Sequence, residues 1–545
     1  MRPLICVAAL AISLFIPGRL LAAPAAKSAL DVPPAGLEPA AGTTLAEVLR
    51  RHAEALGRLT GGTPNTRRET WTLDEAGLHG TETIVRKGLD YKSHIEHGPL
   101  VEEHGQSGER RWHRGPNGTI SATESEESES FVMLRVEEDA SDAKNDVTLV
   151  GLVLLPKPAY VVEVKVPGSD HPEWIYFGRS SGLIDRVDRV NDDGDRLSTT
   201  YDDYRTSSGL TEPWHVHDDF PTMGIGFDFL RTSLVLGEPV EPSDLAEGDD
   251  RFRPASWSGA VSLPTHIPHD HIVIRVMVAG RGLDFELASG EARSLIDENV
   301  AEQLNLPTFG KTVRTKTGDR LGYDTVIPQA TIGDIVLHDF AVHALPFTFD
   351  ISQDTKIVGL LGYDFLRSGL FKIDYVNGRV FAYDTASAAI PDRPDTIVLP
   401  IRFDDGTPLA LAKIAGHETK NVLIDTSYRF SYVMGSFANR YPEAVPDYEG
   451  RRRGRTVVPF ADANGYGREV DVWEARVPAF QLGDTEFRQV DMIGLDANFP
   501  FERDVDAIVG AQLLTFFDVW LDYANHRIIL QPNDVFRQNF RSSKK

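Results

Sequence analysis

The sequence predicts a mainly β protein, with an α+β half-barrel-like domain over residues 43–237 followed by two β-lobes over 265–390 and 391–535. Three observations carry that expectation. One helical pattern near the N-terminus gives way to short alternating runs bounded by Gly, Asn and Asp. An acidic, Pro-rich stretch without periodicity follows at 238–264. Beyond it, one series of apolar, Asp and Gly signatures occurs twice in the same order. At 545 residues the chain is too long for one ordinary core.

The elements follow in chain order. Met1 and Arg2 precede an apolar run from Leu4 to Ile16, then Pro17-Gly18 and the small residues Ala23-Pro24-Ala25. This is the pattern of a secretory signal peptide over residues 1–25, too short to span a bilayer comfortably. The only cysteine, Cys6, lies inside it, so the processed chain has no thiol and neither disulfides nor Cys-ligated metals. Residues 26–42, rich in Ala and Pro, are expected as a disordered leader. Thr44 and Glu47 form a capping box for a helix whose apolar stripe is Leu45, Val48, Leu49, Leu56 and Leu59. From Arg68 to about Asp219 come strand-like runs such as Glu69-Thr70-Trp71-Thr72-Leu73 and Tyr160-Val161-Val162-Glu163-Val164. Glu124 to Ser130 is too charged to pack and reads as a loop. Helix-then-meander, with Glu173 to Phe177, Gly182 to Ile184 and Tyr201 to Pro213, resembles the curved half-barrel of lipoprotein-carrier (LolA/LolB-like) domains. That resemblance implies a concavity suited to a lipid or hydrophobic peptide.

The repeat begins past the linker. The first copy has Leu283 to Gly290, Ser294-Leu295-Ile296, a helix from Glu298 to Leu304, Ile332-Gly333-Asp334, Gly359 to Leu366, Phe371 to Tyr375 and a strand from Arg379 to Tyr383. The second answers with Val422 to Ser427, Leu482-Gly483-Asp484, Ala507 to Leu514, Val519 to Tyr523 and Arg527 to Leu530. The offset grows only from 137 residues, between Ala288 and Asp425, to 148, between Asp374 and Asp522. Each copy resembles a retropepsin-like aspartic protease lobe, and together they span about 265–533. The family's catalytic triplet falls on Asp425-Thr426-Ser427 in the second copy. Its ψ-loop motif falls on Leu360-Leu361-Gly362 and Ile508-Val509-Gly510. Its flap hairpins fall on Gly318 to Asp324 and Asp462 to Gly467, so Gly322-Tyr323 and Gly465-Tyr466 are the expected substrate-binding pairs. Asp374 and Asp522 read as structural residues at strand ends, and residues 536–545 as a tail.

The resemblance implies peptide hydrolysis by a pair of carboxylates sharing a proton, one activating water while the other donates to the scissile carbonyl. The first copy departs from it: Ala288-Ser289-Gly290 stands where the second triplet would be, and alanine holds no proton. Glu286 has the same strand parity as Ala288 and is the nearby carboxylate that offers a substitute. Alternatively, two chains forming a homodimer through their second lobes would each contribute one Asp425, although the fused first lobe obstructs this. The expected function is thus an exported, periplasmic aspartic-type peptidase acting on a peptide or protein substrate. The alternative is an inactive protein binding peptides, or lipids and lipoproteins of the envelope.

Composition narrows the partners. Lys and Arg number 56 against 81 Asp and Glu, a formal charge of -25, which repels phosphate backbones and excludes nucleic acid. After the first residues no apolar run of about 18 occurs, so no transmembrane anchor is expected. His266, His269 and His271 fall within six residues, a spacing zinc can use, but their position before a strand predicts exposed loop histidines. The same holds for His215 and His217. Arg451-Arg452-Arg453 with Arg455 reads as a solvated loop, or more sharply as a site for an acidic peptide. No metal or cofactor is expected.

Overall fold

The computed structural model describes residues 34–57, 65–75, 77–122, 145–165, 171–190, 196–221, 224–310, 313–314, 320–347, 351, 355–384, 389–404, 406–445, 453–462, 465–495 and 505–540. The expected signal peptide, the acidic loop at 124–130 and Arg451-Arg452 lie outside these residues. The fold is mainly β.

Among the described residues, the N-terminal domain is a thirteen-stranded antiparallel sheet with helix α1 (Leu45–Ala55) on one face. The helix begins where Thr44 Oγ1 accepts the Glu47 N–H at 3.2 Å. Its buried side chains Val48 and His52 face the sheet, and His52 Nδ1 donates to the Gly182 carbonyl at 2.9 Å. Strands β1 (Thr66–Glu75), β2 (Leu78–Lys87), β3 (Asp90–His97), β4 (Leu100–Ser107), β5 (Arg110–Arg114) and β6 (Ile120–Ala122) form one wing as a meander. In β1 the odd-numbered residues Arg67, Glu69, Trp71, Leu73 and Glu75 are buried, the alternation of a strand with one covered face. On that face Val48 and Leu56 of the helix segment pack with Trp71, Leu73, Ile84, Ile95, Val162, Ile175, Val216 and Phe229. Residues 34–42 belong to the stretch expected as a leader, yet Glu38 exchanges two backbone hydrogen bonds with Leu152, both 2.8 Å.

The linker expected at 238–264 is also built into the fold. Val240 and Phe252 are buried, and strand Ala260–Leu263 pairs with Arg379–Tyr383. Beyond it, the two lobes share a central sheet in the order Ala260–Leu263, Arg379–Tyr383, Leu370–Asp374, Phe517–Asp522, Arg527–Pro532, Ile397–Asp404. The two lobes meet where Phe371 opposes Leu521 and Asp374 opposes Asp518. Asp374 and Asp522 close tight turns, accepting from Asn377 and from Asn525 and Arg527 respectively. The stretch expected as a tail starts inside a helix, Asp534–Phe540.

The first lobe also lies on the N-terminal domain. Asn117 donates to the Ala341 carbonyl at 2.8 Å and accepts the Ala341 N–H at 2.9 Å, as a strand neighbour would. Tyr363 donates to the Ile120 carbonyl at 2.6 Å. Leu100 packs with Phe309, Val326 and Ala341, so the wing face that α1 leaves bare is covered by the first lobe. Among the described residues, α1 and this lobe both pack against the N-terminal sheet.

Candidate functional site

Both triplet loops are held by the same three-strand device. In the first lobe Arg281–Leu287 pairs in parallel with Gly359–Leu361, which pairs antiparallel with Leu295–Asp297. In the second, His417–Ile424 pairs in parallel with Ala507–Val509, which pairs antiparallel with Tyr432–Met434. The glycine after each ψ strand is required by contact rather than by conformation. A Cβ on Gly362 would stand 2.8 Å from the Glu291 carbonyl and 2.6 Å from that of Arg293. On Gly510 it would stand 2.4 Å from the Tyr428 carbonyl and 2.2 Å from that of Phe430. These carbonyls lie three and five residues after Ala288 and Asp425, so each loop is pressed onto its ψ strand at matching points. Next in chain, Tyr363 N–H donates to the Glu291 carbonyl at 2.8 Å and Ala511 N–H to that of Tyr428 at 2.7 Å.

The two loops then grip one another. Ser289 N–H donates to Thr426 Oγ1 at 3.1 Å, and Thr426 N–H donates to Ser289 Oγ at 2.9 Å. The hydroxyls pass the bond on: Ser289 Oγ–H to the Ile424 carbonyl at 2.9 Å, and Thr426 Oγ1–H to the Leu287 carbonyl. Tyr523 adds a bond to the Ser289 carbonyl at 2.6 Å. Every buried polar atom of the exchange is thus satisfied, which fixes the loops relative to one another.

Asp425 sits at the centre of this arrangement, 2% exposed. Its Oδ1 accepts the Ser427 N–H at 2.9 Å and the Ser427 hydroxyl at 2.8 Å. Its Oδ2 leans to the other loop, so close that a Cβ on Gly290 would stand 2.3 Å away, and the nearby Gly290 amide favours its charged form. Gly290 is two residues after Ala288, as Ser427 is two after Asp425. The Asp425 carboxylate thus lies against the loop residue equivalent to Ser427. Burial raises the Asp425 pKa, while the Ser427 bonds, the Gly290 amide and the charge of His271 work against that rise.

Glu286 and His271 form a buried couple beside it, with Nδ1 of His271 2.7 Å from Oε1 of Glu286. This corrects the expectation for His271, which is 6% exposed rather than a loop histidine, because it opens directly into the core strand Val273–Val278. His266 and His269 are exposed as expected. Burial raises the Glu286 carboxyl, His271 draws it down and Asp425 pushes it up. Burial disfavours the His271 imidazolium, but Glu286 outweighs that and raises its pKa. Oε2 of Glu286 has no hydrogen-bond partner.

The expected substrate-binding pairs part company. Tyr323 begins the strand Tyr323–Ile332 and is buried in the apolar core, while Gly322 fits closely against the Ala344 carbonyl, which a Cβ would meet at 2.3 Å. The first-lobe hairpin continues beyond it, Val313–Arg314 paired with Arg320–Leu321. In the second lobe, strands Arg453–Asp462 and Gly465–Leu482 form a long hairpin that crosses to the first lobe. Tyr466 N–H donates to the Pro346 carbonyl at 2.7 Å, and its ring lies 5.1 Å from that of Phe347. Tyr466 joins Ala288, Leu295, Leu345, Ile357 and Leu360 in one apolar cluster and is fully buried. Burial, followed by the negative charges of Glu286, Glu291 and Asp425, pushes its hydroxyl well above the ordinary range. The space a carboxylate at 288 would enter is thus roofed by the Tyr466 ring.

A second polar group escaped the sequence reading. Glu102, His104 and His113 bring one ligand atom each within 4.8 Å of one another on the covered face of β4 and β5. The signal was available: residues 102 and 104 share a strand face, and a two-residue hairpin turn at 108–109 brings 113 opposite 104.

Residues 274–365 match the model of a family described as aspartyl protease. That stretch lies within the first lobe and contains Ala288-Ser289-Gly290. The fold, the grip and this match define an aspartyl-protease-like region. No curated protein matches the chain. Among solved structures, an aspartic proteinase from Irpex lacteus is 14% identical, covers 50% of this chain and 98% of its own, with a TM-score of 0.32. Basic 7S globulin from soybean is 11% identical, covers 50% of this chain and 96% of its own, with a TM-score of 0.31. A LolA superfamily protein from Nitrosomonas europaea is 9% identical, covers 38% of this chain and 99% of its own, with a TM-score of 0.27. No helix among the described residues is long and apolar enough to cross a membrane.

Proposed function

We propose that this chain is an exported, periplasmic protein that binds extended peptides between its two lobes, with Asp425 as the acidic group of the site and without dyad hydrolysis. The observation that carries this reading is the enclosure of Asp425, whose Oδ1 takes the amide and hydroxyl of Ser427 and whose Oδ2 lies against Gly290, while Ala288 shares an apolar cluster with Tyr466. Dyad chemistry needs a second carboxyl group to donate as the first activates water. The long second-lobe hairpin supports peptide binding, since its edge is suited to add backbone hydrogen bonds to an extended chain.

A second reading is hydrolysis by Asp425 with Glu286 as partner, and the buried Oε2 of Glu286 without a hydrogen-bond partner favours it. One experiment separates the two. The full chain and Asp425→Asn are incubated with a mixed peptide library from about pH 3 to 8, with cleavage and binding both read. Binding without cleavage, in both proteins, is expected. Cleavage by the native chain that disappears in Asp425→Asn overturns the binding reading and makes Glu286→Gln the next variant.

A further inference from the structure

The covered face of the N-terminal sheet carries two buried polar groups that differ in one respect. The first is balanced. Arg67 meets Glu69 and Glu212, both at 2.5 Å, and Arg231 meets the same two glutamates at 2.9 Å, so two cations face two carboxylates. The second has carboxylates and no Lys or Arg among its described ion pairs. Glu75, Glu82 and Glu102 are 3%, 2% and 4% exposed, and Glu75 feels the negative charge of the other two. Around them stand His97, His104 and His113. Both carboxylate oxygens of Glu75 are buried without a hydrogen-bond partner, its Oε2 lying 3.6 Å from His97 Nε2. Burying the Glu75 carboxylate with neither oxygen hydrogen-bonded costs several kcal/mol, of the order estimated for desolvated ions.

The register explains how the sequence assembles this group. Glu82 opposes Ile95 and Ile95 opposes Glu102, while Ser93 opposes His104 and His104 opposes His113. Glu102, His104 and His113 therefore project from one face of two neighbouring strands. The two imidazoles are stacked with their ring centres 4.5 Å apart, so one ring turns for both to reach the same ion. Oε2 of Glu102 is 3.4 Å from Nε2 of His113. Metal bonds of about 2.0–2.2 Å in a tetrahedron set their ligands roughly 3.4 Å apart, so this pair already spans one edge. Two imidazoles and one carboxylate are the donor set of first-row divalent cations, with zinc foremost among those of no redox chemistry.

We propose that Glu102, His104 and His113 form a buried site for a first-row divalent cation of the Zn2+ class, with Glu75 and His97 in the surrounding shell, where the N-terminal sheet is covered by the first lobe. The cation supplies the positive charge that Arg67 and Arg231 supply to the neighbouring group. The site is independent of the peptide cleft and of whether that cleft is catalytic.

The test uses the full chain, stripped with a chelator and dialysed against Zn2+, with bound metal counted by mass spectrometry. Circular dichroism follows folding, and Co2+ serves as a spectroscopic substitute. The expected result is one equivalent of Zn2+, with affinity falling at least about 100-fold in Glu102→Gln and in His113→Gln. Co2+ should give the intense visible absorption of a four- or five-coordinate site. A control, His217→Gln, removes one of two half-buried strand histidines, expected from the sequence as exposed loop residues, that flank Asp228 at 2.9 Å; it should leave binding unchanged. A folded native chain that takes up no Zn2+ overturns the proposal. So does binding that survives in folded Glu102→Gln and His113→Gln but is lost in His217→Gln. Should both buried variants fail to fold, the native chain decides: a weak octahedral Co2+ spectrum also overturns it.

Discussion

Ala288-Ser289-Gly290 and Asp425-Thr426-Ser427 occupy equivalent places, and nearly everything around them is equivalent as well. Each follows a strand paired in parallel with a ψ strand, each is pressed by a ψ glycine, and their middle residues exchange amide-to-hydroxyl bonds in both directions. The difference is confined to the first side chain of the triplet and to what has moved into its place. The scaffold of a two-carboxylate site is thus separable from its chemistry. Structure keeps the grip, because four buried backbone groups depend on it, whereas no other group depends on a carboxylate at 288.

The comparison can be broken most forcefully by restoring the missing group. Ala288→Asp, alone and with Tyr466→Ala to lift the roof, should create cleavage of peptides at acid pH at least about 100-fold above the native chain, the lower range for general acid–base catalysis. The gain should vanish on adding Asp425→Asn. A folded double variant without cleavage would break the comparison, because the loss would then lie outside position 288.

A smaller effect sharpens the claim that the grip is symmetric. Ser289→Ala deprives the Thr426 N–H of its acceptor and the Ile424 carbonyl of its donor, and Thr426→Ala does the same to the Ser289 N–H and the Leu287 carbonyl. Each orphaned buried group costs about 1–3 kcal/mol. The two variants should therefore lose similar stability, about 2–6 kcal/mol in denaturant unfolding, and agree with one another to within about 1 kcal/mol. Destabilisation by Thr426→Ala alone would show that the lobes match in geometry but not in energy.

The mainly β fold and the aspartyl-protease-like stretch were legible in the sequence, because alternating runs and ordered strand signatures are local patterns. What could not be read depends on contacts distant in sequence. Tyr323 and Tyr466 follow the same Gly, yet one enters its own lobe's core and the other reaches Pro346 and Phe347 of the other lobe. His271 reads as a loop residue until Glu286, fifteen positions on, is known to share its strand pair. Phe252 and Ala260–Leu263 read as linker because a single strand supplied to another domain's sheet edge has no periodicity of its own. Glu102, His104 and His113 look like ordinary strand polar residues until the first lobe covers them.

The mildest effect concerns the base of the first-lobe hairpin, where Asp324 stands one residue after Tyr323, as Gly467 does after Tyr466. Asp324 is buried and holds His343 Nδ1 at 2.9 Å and Arg293 at 3.0 Å. Burial alone would raise its pKa, but Arg293 and His343 more than reverse this and bring it down to about 2. Because the folded value lies below the ordinary 3.8, the carboxylate contributes stability that is complete above about pH 4 and is lost as the pH falls toward about 2. A difference of nearly two pH units corresponds to roughly 2 kcal/mol. Asp324→Asn should cost about that much at neutral pH, with the native and variant stabilities converging in acid. The second lobe has glycine rather than a carboxylate at this place, and its hairpin reaches Pro346 and Phe347 of the first lobe. A constant difference between native and Asp324→Asn across that range would detach Asp324 from the contrast and leave packing by Tyr323 as its cause.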